Sequence, residues 1–531
     1  MKSSNQIYGK DWLHYHPYSS LTFVDNYYIN LCNKVLKIIR QSEIGECTDS
    51  SEEEKRLACL LVAYFEDVIS ETRLFSAFTR QHKKMYYKEL PFYKITDEYY
   101  DDEINVEDIY FLIWYYVSVR DKETLVDPYF DNCQEFGNAV LEIYNLFDSE
   151  FETAPQNEKM QQFLQLSPGA NVREVREKLS FIAHNSFLWK DVFDIYFDEA
   201  LEEYKKDGVV VLTERANVAI YDSKVQFIYD NCMPLLAMRI NEYFAEVLGE
   251  EHQEYQFIKN ISKRIMGCFL IRKIEKDGYL IEHLTSKKQL WLSNEFTSFE
   301  NLELIENDTI LSICLVEWKD NVWQNQGACA VSSIRDMEGK DVSEHLFDDE
   351  SRKIEFVRKQ EEAFLEITNG QRVFYVEGCS EFIEFQINLM RKHAKITKPD
   401  ITDEELDEKY NGLYEKMEYD LPFEDNEALC LFYNPKCGVE IYRCDVTFCM
   451  SDKNNPHYMN HEFDFGEMLT NVTFSTEFVN YVIENDLIEL QLDDYYNTDL
   501  MSVVLENLDF LLRFYRRSKY FTKPEVTLTK S

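Results

Sequence analysis

The stretch GCFLIRKIEKDGYLIEHLTSKKQLWLS, residues 267–293, is the best guide to the fold class of this 531-residue chain. Before it, apolar residues recur at helical spacing. Within it, they form short runs that are separated by turn residues such as Lys276-Asp277-Gly278. A change of the hydrophobic period from about 3.6 residues to about 2 indicates a change from helix to strand. We therefore predict an α+β protein, with a mainly helical N-terminal half, a small β module in the middle and an α+β C-terminal domain.

The β module is predicted to contain five short strands. Such a set suits a small barrel of the SH3-like or OB-like kind, or a curled sheet. The predicted strands are Gly267–Ile274, Tyr279–His283, Gln289–Ser293, Thr309–Trp318 and Val322–Val331. A later pattern predicts a β-hairpin around Asn434-Pro435-Lys436-Cys437-Gly438, with sheet over about 429–449. The domain boundaries predicted from these patterns are 1–260, 261–335 and 336–531.

The helical half has few chain breakers, because the chain contains only 15 Gly and 11 Pro. Ser50 and Glu53 form a capping-box pattern, which opens an amphipathic segment predicted to run to about Gln81. A nearly all-apolar segment after Asn105, IYFLIWYYVSV, predicts a helix that is buried on most sides. Another helix is predicted over Ser223–Val247.

The composition describes a folded protein with an acidic surface. The formal net charge is -42, yet 45% of the residues are hydrophobic and 15% are aromatic. Disordered acidic chains lack aromatic residues, so they do not match this pattern. An acidic surface disfavours nonspecific binding to DNA or anionic lipid. The stretch DEYYDDEINVED, Asp97–Asp108, is intensely acidic, and we interpret such stretches as solvated helix faces.

Several features predict a cytoplasmic protein. No apolar run reaches membrane-spanning length, and Met1–Trp12 lacks the apolar core of a secretory signal. The 13 cysteines are scattered and contain no CxxC pair, which favours reduced thiols over a disulfide framework. The tail interleaves apolar residues with Arg513, Arg516, Arg517 and Lys519, and we expect it to dock on the protein rather than extend freely.

Three stretches resemble a known family. They are IYGKDWLHYHPY at Ile7–Tyr18 with VDNYYINLCNKV at Val24–Val35, FYNPKCGVEI at Phe432–Ile441, and DFLLRFYRRSKYFTKPEVTLT at Asp509–Thr529. The combination resembles a protein family of gut Bacteroidetes that is described as a domain of unknown function. The resemblance implies a bacterial cytosolic origin. It implies no activity and no catalytic residues.

The glycine spacing excludes the common nucleotide cradles. The two closest glycines, Gly370 and Gly378, are eight positions apart. A Rossmann fingerprint and a Walker loop both need closer glycines, because the phosphate must approach bare backbone. The GxSxG and HExxH motifs are absent as well. We therefore predict no cofactor.

Two groups of residues are weak candidates for metal ligands. His14 and His16 would share a face if they lay on a strand. Cys437, Cys444, Cys449, His457 and His461 form the second group, but their spacing does not match the close pairs of structural zinc sites. The alternative interpretation of the first group is that both histidines pack within an aromatic-rich segment. The alternative for the second group is that its cysteines are thiols packed in a sheet. We predict a protein without a bound metal.

Glu317-Trp318-Lys319, at the end of an apolar strand, is the best enzymatic pattern. A carboxylate and a lysine on one strand face make half of a Mg²⁺-dependent nuclease site, which needs a second acid nearby. Asp308, Asp277 and Glu275 are the acids closest in sequence. The competing interpretation is a salt-bridged, exposed strand face.

The β module also offers a candidate binding surface. Trp291, Trp318 and Trp323 lie near Arg272 and Lys273, and aromatic rings interleaved with cations can stack single-stranded bases or line a peptide groove. The same tryptophans are equally suited to a core.

These observations leave three functions open. The leading hypothesis is an intracellular, non-catalytic interaction or scaffold protein whose partner is a protein. The alternatives are a Mg²⁺-dependent nuclease centred on Glu317 and Lys319, and an acidic decoy that mimics DNA.

Overall fold

The computed structural model describes residues 6–95, 99–130, 133–206, 214–295, 299, 302–319, 321–337, 350–410, 412–413, 421, 424, 426–492, 500–517 and 520. The chain divides into two compact units. The first is Met1–Phe347 with Asn497–Ser531, and the second is Asp348–Tyr496. The predicted boundaries differ from this division, which groups the β module and the end of the chain with the N-terminal helices.

The first unit is mainly helical, as predicted. Its helices before the β module are α1 (Gly9–Leu13), α2 (Phe23–Arg40), α3 (Ser51–Ile69), α4 (Leu74–Tyr86), α5 (Val106–Arg120), α6 (Gln134–Phe151), α7 (Glu158–Leu164), α8 (Val172–His184), α9 (Lys190–Lys206), α10 (Glu214–Asp230), α11 (Ile240–Leu248) and α12 (Tyr255–Asn260). A short 3₁₀ helix lies at Glu43–Cys47. Ser50 caps α3 by accepting from the Glu53 backbone N–H, as its pattern predicts, but the Glu53 carboxylate accepts from the Asp49 N–H and so does not complete the predicted capping box. Helix α5 is buried around most of its circumference.

Two predicted helices are each divided by a turn. The segment that we expected to continue to Gln81 ends at Ile69, and Glu71 and Arg73 adopt left-handed φ angles of 50° and 65°. The predicted helix Ser223–Val247 is α10 and α11, with Pro234 and the left-handed Leu236 and Ala237 between them. The first turn contains neither glycine nor proline, whereas Pro234 is a sequence signal for the second turn.

The β module is a closed barrel, in agreement with the prediction of a small barrel. Its strands are β1 (Ile265–Ile274), β2 (Gly278–His283), β3 (Gln289–Ser293), β4 (Thr309–Lys319) and β5 (Val322–Ser333). The strand order is β1-β2-β3-β5-β4, and β4 pairs back onto β1. The β3–β5 pair is parallel and the other pairs are antiparallel. The interior is aliphatic and aromatic, with Phe269, Ile281 and Leu311 at its centre.

The barrel packs on α10 through a charged contact. Asp222 of α10 accepts from the Ala328 N–H at 3.0 Å and from Arg264 at 3.1 Å. Arg264 also bonds Asp230 at 2.9 Å. Gly327 allows this approach, because a Cβ at that position would lie 2.6 Å from the Asp222 carboxylate. The barrel is thus fixed to the helical part of the same unit.

The first unit is completed by α19 (Leu500–Glu506) and α20 (Leu508–Tyr515). The predicted docking of the tail is confirmed for the part that the structure describes. Phe510 lies among Phe92, Phe111 and Trp114, and Phe514 packs on Trp114 with ring centroids 5.0 Å apart. Arg516 is buried. Lys519 lies outside the described residues.

The second unit combines helices with two small sheets. Its elements are α13 (Glu350–Ile367), β6 (Val373–Glu377), α14 (Gly378–Thr397), α15 (Asp403–Tyr410), β7 (Ala428–Asn434), β8 (Gly438–Tyr442), α16 (Cys444–Cys449), β9 (Phe463–Asp464), α17 (Phe465–Thr470), α18 (Thr476–Glu484) and β10 (Leu490–Gln491). The β7–β8 hairpin confirms the turn prediction. The predicted sheet does not continue to residue 449, because the chain turns into α16 at Cys444.

The two units together make an α+β protein. Among the helices described, none has both the length and the apolar character that crossing a membrane would need.

Candidate functional site

An acidic cavity in the first unit is the best candidate for a functional site. Its volume is about 670 Å³, within the range of small-molecule sites. Three parts of the chain line it: the α3–α4 turn, the segment that leads into α5, and the end of α6. Its lining carboxyl groups belong to Asp67, Glu71, Asp101, Asp102, Glu103, Asp108 and Glu152. Arg73 and Arg80 supply its cationic groups.

Asp67 shapes the α3–α4 turn that forms one wall. Its carboxyl group accepts from the N–H groups of Leu74 and Phe75, both at 2.8 Å, and from the Thr72 hydroxyl. These amides open α4, so Asp67 of one helix caps the next. Burial raises the pKa of Asp67 to about 6, although these hydrogen bonds oppose the shift.

Asp108 lines the cavity from the start of α5. It is the third residue of α5, and its carboxyl group accepts from Tyr64 at 2.6 Å, from Tyr99 at 2.9 Å and from Asn105 at 3.0 Å. Burial raises its pKa to about 7, against the effect of these three donors. Asp108 therefore changes charge near neutral pH, while it is held by two phenols.

The rim of the cavity is exposed and negatively charged. Asp101, Asp102 and Glu103 are exposed. Arg80 is held by the Ser76 hydroxyl at 2.8 Å and by the Glu246 carbonyl at 3.1 Å. Even without the buried Asp67 and Asp108, five exposed carboxyl groups thus face two guanidinium groups, and the balance favours a cationic ligand.

The sequence indicated part of this site without identifying it. Most of the acidic residues belong to the stretch Asp97–Asp108, which we had interpreted as a solvated helix face. In the structure, its second half leads into α5 and faces the cavity, while Asp97 and Glu98 lie outside the described residues. The sequence feature that could have indicated the site is the pair Tyr99 and Tyr100 within the acidic stretch, because a fully solvated helix face does not need aromatic residues.

A second polar cluster contains His16, which the sequence proposed as a weak metal ligand. His14 and His16 lie in a turn after α1, not on a strand, and only His16 is buried. His16, Asp25 and Glu66 bring one ligand-type atom each within 4.8 Å of one another. His16 Nε2 bonds Glu66 at 2.8 Å, and its Nδ1 bonds the Trp12 carbonyl at 3.1 Å.

The hydrogen bonds of this cluster favour a protonated histidine over a metal ligand. A carbonyl and a carboxylate both only accept, so both nitrogens of His16 must donate. Burial lowers the pKa of His16, but the charge and hydrogen bond of Glu66 outweigh it and leave the pKa raised. Asp25 is occupied as well, by Trp12 and Tyr18, both at 3.0 Å. The residues present therefore do not fit a metal site.

Glu317 and Lys319 lie at the end of β4. The register shifts between them, so the simple alternation that would place them on one face is interrupted. The Lys319 ammonium lies 5.4 Å from the Phe257 ring centroid, and Glu317 is half-buried. Within the described residues, the close group of metal-ligand types is that of His16 and does not include Glu317.

The predicted binding surface of the barrel is largely internal. Trp323 lies in the barrel core, and Trp318 is buried against Phe257 with ring centroids 5.1 Å apart. Trp291 is half-buried. The cations are engaged too: Arg272 pairs with Glu282 and Lys273 pairs with Glu275.

The candidate zinc residues of the second unit are spread over several elements. Cys437 is exposed in the β7–β8 turn, and Cys444 begins α16. His457 is half-buried, and His461 is exposed beside Phe448. Within the described residues, these four do not form a close group of three ligand-type atoms.

Comparison with known proteins identifies one family model that matches part of the chain, and this match agrees with the resemblance read from the sequence. No curated protein and no solved structure matches the chain. One region of the chain, residues 6–268, does match a family model. This region contains the acidic cavity, the His16 cluster and the N-terminal stretch that carried the resemblance. Residues 6–268 match the family model described as "Protein of unknown function (DUF3843)".

Proposed function

We propose that this is a non-catalytic interaction protein that holds a cationic segment of a protein partner in the acidic cavity. The observation that carries the proposal is the convergence of seven carboxyl groups from three chain segments on one cavity of about 670 Å³. The Mg²⁺-dependent nuclease and the DNA-mimic decoy stay alternative hypotheses, and the cytoplasmic location stays a prediction.

The walls of the cavity suit the side chains of lysine and arginine. The half-buried rings of Tyr99 and Phe151 line it beside the carboxylates, whereas the lining rings of Tyr64 and Phe75 are buried. A cation over an aromatic face gains about 0.5–2 kcal/mol, in addition to its attraction to carboxylates. The acidic surface of the whole chain, with a net charge of -42, would steer a basic partner toward it.

The test is the affinity for a fluorescent lysine- and arginine-rich peptide, measured by fluorescence anisotropy. The variant D101N/D102N/E103Q removes three charges from exposed rim positions and should leave the fold intact. We expect it to weaken binding by roughly tenfold, which corresponds to about 1.4 kcal/mol.

The control is E384Q/E404Q/E408Q, which removes three exposed charges from the second unit. Because it changes the net charge equally, it should reduce the affinity less than the rim variant. Equal losses in both variants would show that the peptide responds only to general surface charge, and would refute the proposal.

A further inference from the structure

A second cavity of the first unit has the opposite charge character. It has a volume of about 640 Å³ and lies between the turn after α1, helix α7 and helix α8. Arg173 and Arg176 of α8 line it, with Glu177 as the lining carboxylate. The whole chain has 98 acidic and 56 basic residues, so a cavity with more cations than carboxylates reverses the general balance.

The spacing on α8 explains how the two arginines reach the same cavity. Arg173, Arg176 and Ser180 are separated by three and four positions, so they lie on one face of the helix. Among the described residues, Arg173 has no ion-pair partner, although Glu177 follows one turn later. An exposed guanidinium without a carboxylate is notable in so acidic a chain.

Arg176 is positioned by a neighbouring helix. It donates to the Tyr221 hydroxyl at 2.7 Å, and its guanidinium lies 5.4 Å from the Tyr221 ring centroid. These contacts fix the orientation of the guanidinium before any ligand binds. Preorganised guanidinium groups match carboxylate and phosphate oxygens through paired hydrogen bonds.

The rest of the lining combines the rings of His16, Phe163 and Phe181 with Pro17, Ser180 and Asn185. Phe163 and Phe181 pack edge to face with centroids 5.4 Å apart, and both line the cavity. The Lys178 ammonium lies 5.1 Å from the Phe163 ring centroid, but it pairs with Glu174 at 3.6 Å and is not part of the lining. His16 contributes its ring, whose two nitrogens already donate to Trp12 and Glu66. It therefore offers a ligand no free nitrogen, and its charge is balanced by Glu66.

We propose that this cavity, which we call the arginine cleft, binds a small molecule with an anionic group on an aromatic body. Arg173 and Arg176 hold the anionic group, and Phe163 and Phe181 contact the ring. Carboxylate and phosphate share the required chemistry. The site is separate from the acidic cavity and does not depend on the function proposed for it.

The test is calorimetric titration of the full chain with phenyl phosphate, benzoate, inorganic phosphate and benzyl alcohol. We expect an aromatic anion to bind more tightly than either inorganic phosphate or the neutral alcohol. Tighter binding of phenyl phosphate would identify a phosphate ester as the ligand class, and tighter binding of benzoate would identify a carboxylate. Equal affinity for the alcohol and the anions, or no binding of either anion, would refute the proposal.

Variants separate a specific site from general charge. R173Q and R176Q should each weaken binding of the aromatic anion by roughly tenfold. Y221F should weaken it to a smaller extent, because it only releases Arg176. R358Q, which changes an exposed arginine of the second unit, is the matched control and should bind like the wild type. Since R173Q changes an exposed residue, a loss of folding does not explain its effect. If R173Q and R358Q bind equally, the arginine cleft is not the site.

Discussion

Glu66 and Asp67 are neighbours near the end of α3, yet their carboxyl groups belong to two different polar clusters. Glu66 accepts from His16 at 2.8 Å and joins the buried cluster beside the arginine cleft. Asp67 accepts from the Leu74 and Phe75 amides and lines the acidic cavity. One turn of one helix thus supports two cavities of opposite charge character.

The His16–Glu66 pair predicts a defined pH dependence of stability. Because the pKa of His16 is raised in the folded state, protonation favours folding. The stabilisation is complete below the ordinary histidine pKa of about 6.5 and is lost as the pH rises through the raised value. We expect the free energy of unfolding of the wild type, relative to H16Q, to fall over that interval in urea titrations.

His184 provides a control with the opposite sign. Burial lowers its pKa to about 4, so its neutral form favours folding. Relative to H184Q, the wild type should lose stability as the pH falls from about 6.5 toward 4. If both variants give pH profiles parallel to that of the wild type, the assigned protonation states are wrong.

Asp108 predicts a second pH effect. Burial raises its pKa to about 7, whereas an unfolded chain has an aspartate pKa of about 3.9. Between these values the folded state binds more protons, so the stability of the wild type should decline with rising pH relative to D108N. Y99F removes one donor to the carboxylate and should move the end of this decline to higher pH. A constant difference between wild type and D108N would contradict the assignment.

Phe510 should be critical for attachment of the tail. Its ring lies among Phe92, Phe111 and Trp114, so F510A leaves a cavity and should lower the free energy of unfolding by about 3–5 kcal/mol. Leu505 of the neighbouring helix is partly exposed, and L505A should cost much less. Equal urea midpoints for the two variants would mean that the tail does not stabilise the unit.

Gly327 should tolerate no side chain at the contact between the barrel and α10. It has a φ of 152°, and a Cβ would lie 2.6 Å from Asp222, so G327A should cost about 2 kcal/mol or more. Gly169 also has a positive φ, of 73°. A Cβ there would have no heavy atom within 4 Å apart from the atoms of its neighbours in the chain. Thermal unfolding should therefore show a larger decrease for G327A than for G169A. The reverse order would show that backbone strain, and not the contact with Asp222, sets the cost.

The nuclease alternative makes an opposite prediction to the proposed function. We expect no Mg²⁺-dependent cleavage of single- or double-stranded DNA in a gel assay, because Glu317 belongs to no close group of three potential metal ligands among the described residues. Cleavage by the wild type that is abolished by E317A or K319A would support the nuclease instead. Cleavage that survives both substitutions would point to a contaminating enzyme.

Local residue patterns were sufficient to predict the elements that depend on neighbours in the chain. The five barrel strands appear within two residues of the predicted bounds, because period-2 alternation and turn residues act locally. The Ser50 cap and the β7–β8 hairpin follow from the same local chemistry. The α3–α4 turn could not be predicted in this way. Asp67 stabilises it by accepting from backbone amides seven and eight positions later, and the turn itself contains no glycine or proline.

The candidate sites depend on contacts between distant parts of the chain. Tyr64 and Asp108 are 44 positions apart, and His16 and Glu66 are 50 apart, yet each pair is hydrogen-bonded. Such contacts arise when helices pack side by side, and no spacing along the chain encodes them. The same packing makes Trp318 and Trp323 internal, since a strand pattern does not say which face becomes the core. The local sequence therefore determined most of the helices and strands. The tertiary structure decided which side chains are buried and which charged residues line a cavity, because these depend on contacts between distant parts of the chain.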